Sequence, residues 1–400
     1  MAKGAVTQAA GFLAAGVSCG LKRSGKRDLA LLHCPGGAAA AAMFTTNKIV
    51  SAAVEIARRH AKTAKIYGVV INSGNANACT GQKGLDDAVA MCRTAAKHID
   101  AHSHEVLVAS TGIIGHPLPI ARVKAGIGAA AAALSASAAA GHDFARAIMT
   151  TDTRCKEAAA TLRIAGKTVT IGGTVKGAGM IGPNMATTIS VITTDAAIST
   201  PMLKKAMAAA IGESLNKLTV DGHQSTNDTA IALASGAAGN PTITRRDTRF
   251  RSFAKALKTV CEDLARQMAL DAEGATRMFK VIVTGAATSA EAAKAARAVA
   301  DYDLVKCAVH GGDPNWGRII CAVGSCGVRL DPKKITCKIG DAVVFRNGRP
   351  IKFDAAKVSD TIRQKYHTIT VNLGAGKCSD FCYGCDLSRA YVTINADYHT

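Results

Sequence analysis

The 400-residue sequence predicts an α/β protein in which helices cover sheets of mainly antiparallel and mixed strands. Strand-like and helix-like runs occur in mixed blocks, and two pairs of strand-like runs are joined by hairpin turns instead of helices. Hydrophobic residues make up 48% of the chain, which is enough for one large core or two moderate ones. These observations indicate a compact fold of layered helices and sheets, large enough for an enzyme.

Runs in which apolar and β-branched residues alternate or cluster predict strands, and each run is followed by Gly, Ser or Asn. These runs are residues 66–71, 105–109, 280–284 and 368–373. Short turns predict two hairpins. Their strands are residues 161–164 and 168–171 around Ala165-Gly166-Lys167, and residues 343–345 and 351–353 around Asn347-Gly348.

A Ser or Thr residue ahead of an Ala-rich run predicts the start of a helix. Thr200, with Pro201 in the first turn, predicts one such helix. Thr288 and Glu291 have the spacing of a capping box and predict another. A third helix is predicted over residues 252–271.

The formal net charge of +20 would suit an anionic partner. However, the basic residues are scattered, and aromatic residues, on which bases stack, make up only 4% of the chain. The short basic clusters at residues 22–27 and 244–247 are typical of solvated loops. We therefore expect no nucleic-acid partner.

Thirteen cysteines would suit the disulfide framework of a short secreted domain, but here the number is odd and the chain is long, and we expect no signal peptide at its start. Residues 126–141, mainly Ala, are too few and too weakly apolar to span a bilayer. Cys378, Cys382 and Cys385 could supply three zinc ligands but lack a second Cys/His pair, so reduced thiols are favoured. We expect a cytoplasmic protein without a membrane span or a bound metal.

The least ordinary segment of the chain is residues 176–188. Gly177-x-Gly179-x-x-Gly182 has the spacing of a dinucleotide fingerprint, but Pro183 follows directly. Residues 187–193 then alternate like a strand, so the helix that the fingerprint requires is missing. One interpretation is a plain glycine-rich loop that leads into a strand. The other is a strained loop that delivers Thr187 to the head of that strand.

The second interpretation gives Thr187 a chemical role. A Thr hydroxyl needs an adjacent base to act as a nucleophile, and the α-amine of an N-terminal Thr can be that base. The reference pKa of an α-amine is about 7.7–8.0, close enough to neutrality to accept and return a proton. Breaking the Ala186–Thr187 bond would create this amine.

A series of motifs runs along nearly the whole chain. The segments are residues 11–17, 44–47, 72–81, 110–115, 149–153, 185–187, 225–229, 273–276, 313–318, 384–387 and 394–400. Together they resemble, in the same order, the ornithine acetyltransferases of arginine biosynthesis, also called bifunctional glutamate N-acetyltransferases. So many separate matches in sequence order make a chance similarity very improbable.

The resemblance implies a layered helix-sheet-sheet-helix sandwich like that of N-terminal-nucleophile enzymes. It implies autocleavage between Ala186 and Thr187 into an α chain, residues 1–186, and a β chain, residues 187–400, with two of each in a heterotetramer. Thr187 would take the acetyl group of N2-acetyl-L-ornithine and pass it to L-glutamate in a ping-pong reaction. Family members differ in using acetyl-CoA, which stays open as a further substrate, and no other cofactor is expected.

The resemblance also implies roles for single residues. Thr111 and Gly112 would form the oxyanion hole, since a hydroxyl and a backbone N–H can both donate to a tetrahedral oxyanion. The implied substrate contacts are Thr150, Lys176, Thr187, Glu273, Asn395 and Thr400. Taken singly, Thr150 is typical of a turn, Lys176 of a solvated surface, Glu273 of a helix end and Asn395 of a strand end. As a set they supply the opposite charges and polar groups that hold an amino acid.

The chain departs from the family pattern at His223 and Gln224, where Asp and Thr are usual. Two other functions stay open. One is an N-terminal-nucleophile hydrolase or aminopeptidase that uses water as the acyl acceptor. The other is a non-enzymatic nucleotide- or nucleic-acid-binding protein, which would remain uncut and bind in a salt-sensitive way.

Overall fold

The structure is a computed structural model that describes residues 4–182 and 188–397. These residues form two compact units. Unit 1 comprises residues 4–177, 188–216 and 224–268, and unit 2 comprises residues 178–182, 217–223 and 269–397. The chain first passes from unit 1 to unit 2 after Gly177, inside the segment where the sequence pattern is interrupted.

Unit 1 is built on a mixed eight-stranded sheet. Its strands are β1 (Leu13–Val17), β2 (Leu29–Phe44), β3 (Ile66–Asn75), β4 (Val106–Ile113), β5 (Lys156–Ile164), β6 (Lys167–Lys176), β7 (Ile189–Thr194) and β8 (Thr229–Ala234). They lie in the order β4-β3-β2-β8-β7-β6-β5, and β1 pairs with β2. The helices of this part of the chain are α1 (Ala5–Gln8), α2 (Ala52–His60), α3 (Gly81–His98), α4 (Ile120–Ala132), α5 (Ala138–Ile148), α6 (Thr200–Gly212) and α7 (Thr248–Leu270).

The long strand β2 divides this sheet into two parts. Residues 29–33 pair with β1 and β3, whereas residues 39–44 pair with β8. The register shifts between His33 and Ala38, around Pro35, which has no N–H to give to a ladder. Leu107 of β4 and Ile231 of β8 belong to one buried cluster, so residues from both parts of the sheet share a single core.

Helices cover the outer faces of both parts. Val108 of β4 packs with Met91 of α3 and Ile127 of α4 in a second cluster. On the other side, a Cβ at Gly173 of β6 would lie 3.3 Å from Leu264 of α7. Unit 1 is therefore layered helix, sheet, sheet, helix, and the predicted α/β sandwich with mixed sheets is confirmed.

Unit 2 is built on a mixed six-stranded sheet. Its strands are β9 (Met278–Ala286), β10 (Thr336–Ile339), β11 (Ala342–Arg346), β12 (Arg349–Pro350), β13 (Tyr366–Asn372) and β14 (Cys378–Cys385), in the order β12-β11-β10-β13-β9-β14. Strands β9 and β13 are parallel, and the other pairs are antiparallel. The helices are α8 (Ser289–Asp301), α9 (Asp303–Gly311), α10 (Trp316–Ser325), α11 (Ala355–Arg363) and α12 (Arg389–Asp397).

Most of the predicted elements lie where the sequence placed them. One helix cap, one strand and the position of one site residue need correction. Helix α6 is capped by Ser199 and not by Thr200, because the first backbone hydrogen bonds run to the Ser199 carbonyl. Residues 351–353 are not a strand: β12 ends at Pro350, which cannot donate to the ladder. Asn395 lies on helix α12 and not at a strand end.

All thirteen cysteines lie in the described ranges and are free. Among the described helices, none combines the length and the apolar character that crossing a membrane requires.

Candidate active site

Thr111 and Gly112, the two residues that the resemblance assigns to an oxyanion hole, directly precede Ile113, the last residue of strand β4. Gly112 has φ +135°, and a Cβ on it would lie 2.3 Å from the carbonyl carbon of Gly74. Only glycine fits this close approach between the ends of β3 and β4. The Thr111 side chain is buried beside this constrained part of β4.

Lys176, at the end of β6, is buried and does not have the solvated position typical of a single Lys. Its Nζ donates a 3.2 Å hydrogen bond to the Thr111 Oγ1. An oxygen that accepts a hydrogen bond from an ammonium becomes a better donor through its own O–H. The pair therefore leaves the Thr111 proton available for a second acceptor, as an oxyanion hole requires.

Asp152 is the counter-charge of this region. Its Oδ1 accepts hydrogen bonds from Lys156 Nζ at 2.5 Å and from the Gly177 N–H at 2.7 Å. Its Oδ2 accepts the Thr150 N–H at 2.9 Å. Burial would raise the pKa of Asp152, but the charges of Lys156 and Lys176 outweigh it and hold the pKa below its usual value. Asp152 thus fixes the backbone of Thr150 and stays ionised.

Asp228 is a second buried acid that the sequence analysis left without a role. It precedes β8, is 3% exposed, and its Oδ2 has no hydrogen-bond partner among the described residues. Burial raises the pKa of Asp228 well above its usual value, although the charge of Lys176 opposes this shift. An acid placed directly before the apolar run of β8 is the signal that could have indicated its burial.

The ends of three neighbouring strands meet around these groups. Lys176 of β6 pairs with Ile189 of β7, and Ile189 pairs with Thr229 of β8. The Thr188 Oγ1, one residue after the predicted nucleophile, is buried and has no partner in the described chain. Ala186 and Thr187, the predicted cleavage site and nucleophile, lie outside the described residues, as does Thr400.

Unit 2 holds two of the predicted substrate contacts, Glu273 and Asn395. The Asn395 Nδ2 donates to the Glu273 Oε2 at 2.8 Å, and the Glu273 N–H donates to the Ala178 carbonyl at 2.9 Å. Glu273 is 9% exposed, so it follows the helix as expected but is buried. The structure brings Glu273 and Asn395 together, and brings Lys176 together with Thr111.

The glycines of residues 177–182 serve close packing and not nucleotide binding. A Cβ at Gly179 would lie 2.2 Å from the Glu273 Oε2, and a Cβ at Gly182 would lie 2.2 Å from the carbonyl carbon of Gly222. No helix occurs within residues 177–182. Asp221 holds the segment, because its carboxylate accepts the N–H groups of Met180 and Ile181 at 2.7 and 2.8 Å.

Two clusters contain metal-ligating side chains. Along β14, Cys378 and Cys382 lie on one face while Cys385 lies on the other, so these three thiols do not converge on one ion. In unit 1, the ligand atoms of His142, Cys155 and Glu157 lie within 4.8 Å of one another. Glu157 already binds His142 at 2.6 Å and the backbone N–H groups of Gly4 and Ala5, so attachment of the N-terminal segment accounts for its burial.

Comparison with known proteins decides the family, because residues 13–400 match the ArgJ family. The chain belongs to the ArgJ family. This ArgJ chain is 48% identical to the arginine biosynthesis bifunctional protein ArgJ of Symbiobacterium thermophilum over 99% of both chains. It is 44% identical to the protein of the same name from Caldanaerobacter subterraneus, over 98% of this chain and 97% of the relative.

A solved structure agrees with this assignment. The crystal structure of the arginine biosynthesis bifunctional protein ArgJ from Bacillus halodurans is 42% identical, with a TM-score of 0.50. The match covers 51% of this chain and 96% of the solved chain. The resemblance inferred from the motifs is confirmed: this ArgJ protein is an enzyme of arginine biosynthesis.

The two departures from the family motif lie in different surroundings. His223 has a 73% exposed side chain, 3.5 Å from the carboxylate of Asp221. Gln224 donates from Nε2 to the Thr46 hydroxyl at 2.6 Å, and its carbonyl accepts from the Asn47 side chain at 3.1 Å. Gln224 therefore ties two loops of unit 1, whereas the His223 side chain lies at the surface.

Proposed function

We propose that this ArgJ enzyme cleaves its own backbone between Ala186 and Thr187 and then uses Thr187 as the acetyl carrier. The acetyl group would come from N2-acetyl-L-ornithine and pass to L-glutamate. Thr187 lies outside the described residues, so the proposal is supported by the family match over residues 13–400 and by the groups that surround the end of β7.

The hydrogen bond between Lys176 and Thr111 is the structural observation that carries the proposal. Attack on an acetyl carbonyl develops negative charge on its oxygen, and fixed donors in a buried site stabilise that charge. Thr111 has its donor proton available because its oxygen accepts from Lys176. Gly112 would add its backbone N–H as the second donor, at a position that the close approach of Gly74 restricts to glycine.

The length of the Bacillus halodurans chain supports the two-chain organisation. Nearly all of that solved chain, 96%, matches only 51% of this one. A chain produced by cleavage before Thr187 would likewise be about half as long as the uncut protein. The proposed products, residues 1–186 and 187–400, do not coincide with the two compact units, since unit 1 contains residues from both sides of the cleavage point.

The mechanism follows the ping-pong order. The free amine of Thr187 takes the proton of its own hydroxyl while the oxygen attacks the acetyl carbonyl. Thr111 and Gly112 donate to the oxyanion. The intermediate then collapses, the amine returns the proton to the leaving nitrogen, and ornithine departs. The amine of glutamate attacks the Thr187 ester in the same manner and leaves as N-acetylglutamate.

We also propose roles for the other site residues. Thr150, Lys176, Glu273, Asn395 and Thr400 would contact the amino-acid part of the substrate. The buried positions of Lys176 and Glu273 support this, because a buried charge is retained where an opposite charge binds to it. We further propose a heterotetramer of two α and two β chains, a cytoplasmic location and no cofactor, with acetyl-CoA as a second acetyl donor.

Replacement of Thr187 by alanine tests the proposal. The variant should migrate as one chain of 41.0 kDa on a denaturing gel and show no acetyl exchange. Thr188→Ala is the matched control, which should be cut normally. Ornithine release is then assayed with and without glutamate. Release that requires glutamate supports a transferase, and equal release without it indicates the hydrolase alternative.

A further inference from the structure

Four side chains that can bind a metal ion lie close together in unit 1. His142 lies on α5, and Met149 is the C-cap of that helix. Cys155 directly precedes β5, and Glu157 is the second residue of that strand. The ligand atoms of His142, Cys155 and Glu157 lie within 4.8 Å of one another. The Cys155 thiol also donates to the Met149 Sδ at 3.5 Å. The proposed reaction assigns no role to these four residues.

The alternation of side chains along the strand brings two of these donors together. Lys156 binds Asp152 on one side of the chain. Its two neighbours, Cys155 and Glu157, turn their ligand atoms towards each other on the other side. The His142 Nδ1 lies 2.6 Å from the Glu157 Oε2, so the helix supplies the third donor.

Glu157 is held by contacts that leave one carboxylate oxygen for an ion. Its Oε1 accepts the N–H groups of Gly4 and Ala5 at 2.8 and 3.0 Å. Its backbone N–H donates to the Gln267 side chain at 3.2 Å, and its carbonyl accepts from the same side chain at 3.0 Å. Outer contacts of this kind orient a metal ligand, so the direction of the Oε2 is fixed before an ion binds.

The charges around the Cys155 thiol favour a cation at this point. Burial and the negative charge of Glu157 raise the pKa of Cys155 to about 11, with a smaller contribution from Asp152. The charges of Arg146 and Lys156 oppose this shift. A divalent ion between the thiolate and the Glu157 carboxylate would neutralise both, and its binding would release the thiol proton.

The donor set matches zinc. Thiolate, imidazole and carboxylate are zinc ligands, and around a tetrahedral ion such donors are about 3.3–3.8 Å apart. The separation of up to 4.8 Å therefore needs only small side-chain rotations. The thioether of Met149 is a soft donor that favours the same class of ion. All four side chains line a cavity of about 1100 Å³, through which an ion can enter.

We propose that His142, Cys155 and Glu157 bind a zinc ion, with the thioether of Met149 as a weak fourth donor. This differs from the expectation, drawn from the cysteine spacing, of a protein without a bound metal. The proposed reaction does not require the ion. Thr150 follows Met149 directly and lines the same cavity, so an ion held here should hinder substrate binding. This inhibitory effect rests on the proposed function, whereas binding of the ion does not.

The test measures binding of the metal ion alone to the full-length protein, purified and then treated with a chelator that is removed. Cd²⁺ is the probe because cadmium–thiolate bonds absorb in the ultraviolet, and Zn²⁺ is then titrated in competition. We expect one saturable site whose affinity rises with pH, because the thiol proton must leave. Cys155→Ser should abolish the ultraviolet signal of this site. His142→Gln should weaken binding by about tenfold.

Both substitutions introduce a polar side chain of similar size, and urea unfolding without metal checks that the variants fold. Cys321→Ser, which removes an exposed thiol from α10 in unit 2, is the matched control and should bind Cd²⁺ as the unaltered protein does. Absence of saturable binding, or binding that Cys155→Ser leaves unchanged, overturns the proposal. An equal loss of signal in Cys155→Ser and Cys321→Ser would indicate adventitious binding to thiols only and overturns it as well.

The effect on activity is measured separately. Zn²⁺ should raise the KM for N-acetylornithine in the unaltered protein and in Cys321→Ser, but not in Cys155→Ser. A bound ion that leaves the KM unchanged overturns the inhibitory effect. Absence of acetyl exchange in the metal-free protein would count against the proposed reaction, while the Cd²⁺ titration still decides whether the zinc site exists.

Discussion

Lys176 Nζ donates a 3.2 Å hydrogen bond to the hydroxyl oxygen of Thr111, and both side chains are buried. This contact joins the end of β6 to the end of β4 within unit 1. It links the cation proposed to contact the substrate with the hydroxyl proposed to stabilise the oxyanion, so the two residues should act as a unit.

Thr111→Val should lower kcat by about 10²–10³-fold and change KM little, because a donor used mainly in the transition state is lost. Lys176→Met should lower kcat as well. In the Thr111→Val background, Lys176→Met should lower kcat by a smaller factor than it does in the unaltered enzyme. The hydrogen bond between Lys176 and Thr111 is already absent in that background. Steady-state kinetics of the four proteins measures this coupling. Thr259→Val, on the exposed face of α7, is the control. Fully additive losses would show that the two residues act independently.

Gly112→Ala should destabilise the protein by more than about 2 kcal/mol, since the new Cβ would lie 2.3 Å from Gly74 at a φ of +135°. Gly20→Ala is the matched control: Gly20 also has a positive φ, +82°, but a Cβ there meets nothing within 4 Å. The control should cost only the backbone strain, about 1–2 kcal/mol. Urea unfolding measures both free energies. An equal cost at the two positions would contradict the close approach of β3 and β4.

Asp152→Asn should destabilise the protein by about 3–5 kcal/mol at pH 7, because it leaves buried Lys156 without its counter-charge. The folded-state pKa of Asp152 lies below its unfolded value, so its stabilisation is present above about pH 4 and is lost as the pH falls through the folded pKa. Urea unfolding at pH 7 measures the effect. Asp86→Asn, which alters an exposed acid on α3, should change stability little. Similar costs for the two variants would refute the role given to Asp152.

His367→Phe should remove part of the acid sensitivity of unfolding. His367 is 4% exposed, neither ring nitrogen has a partner among the described residues, and its ring stacks on Phe279. Burial, with the charge of Arg277 as a smaller cause, lowers the pKa of His367 from 6.5 to about 4. The unfolded chain therefore binds a proton below pH 6.5 that the folded chain does not, and stability falls as the pH drops from 6.5 towards 4.

The measurement is the free energy of unfolding of both proteins at pH 7 and pH 5. The unaltered protein should lose about 2 kcal/mol more than the variant over this interval. Parallel losses in the two proteins would mean that His367 is protonated equally in the folded and unfolded states.

The sequence predicted the fold class, most strands and the long helix α7 because alternation and capping signals are local. It wrongly placed a strand at residues 351–353, beyond Pro350, where β12 ends, and it placed the cap of α6 one residue too late. The units could not be predicted from composition, since unit 1 is assembled from three separate stretches of the chain.

The site was only partly predictable, because its contacts join residues that are distant in the sequence. Thr111, Lys176 and Glu273 came from motifs, but the contact between Lys176 and Thr111 joins residues far apart in the sequence. The burial of Asp152 and Asp228 depends on neighbouring strands that no local pattern specifies. The basic cluster at residues 22–27 was interpreted as a solvated loop, and its place on a cavity wall followed only from the structure.

The central claim is that Thr187 becomes an N-terminus and carries the acetyl group. Intact mass spectrometry of the protein after incubation with N-acetylornithine, without glutamate, tests it most directly. The account predicts two fragments, of which the one beginning at Thr187 is heavier by one acetyl group and loses it when glutamate is added. An uncut chain that still exchanges acetyl groups would contradict the account.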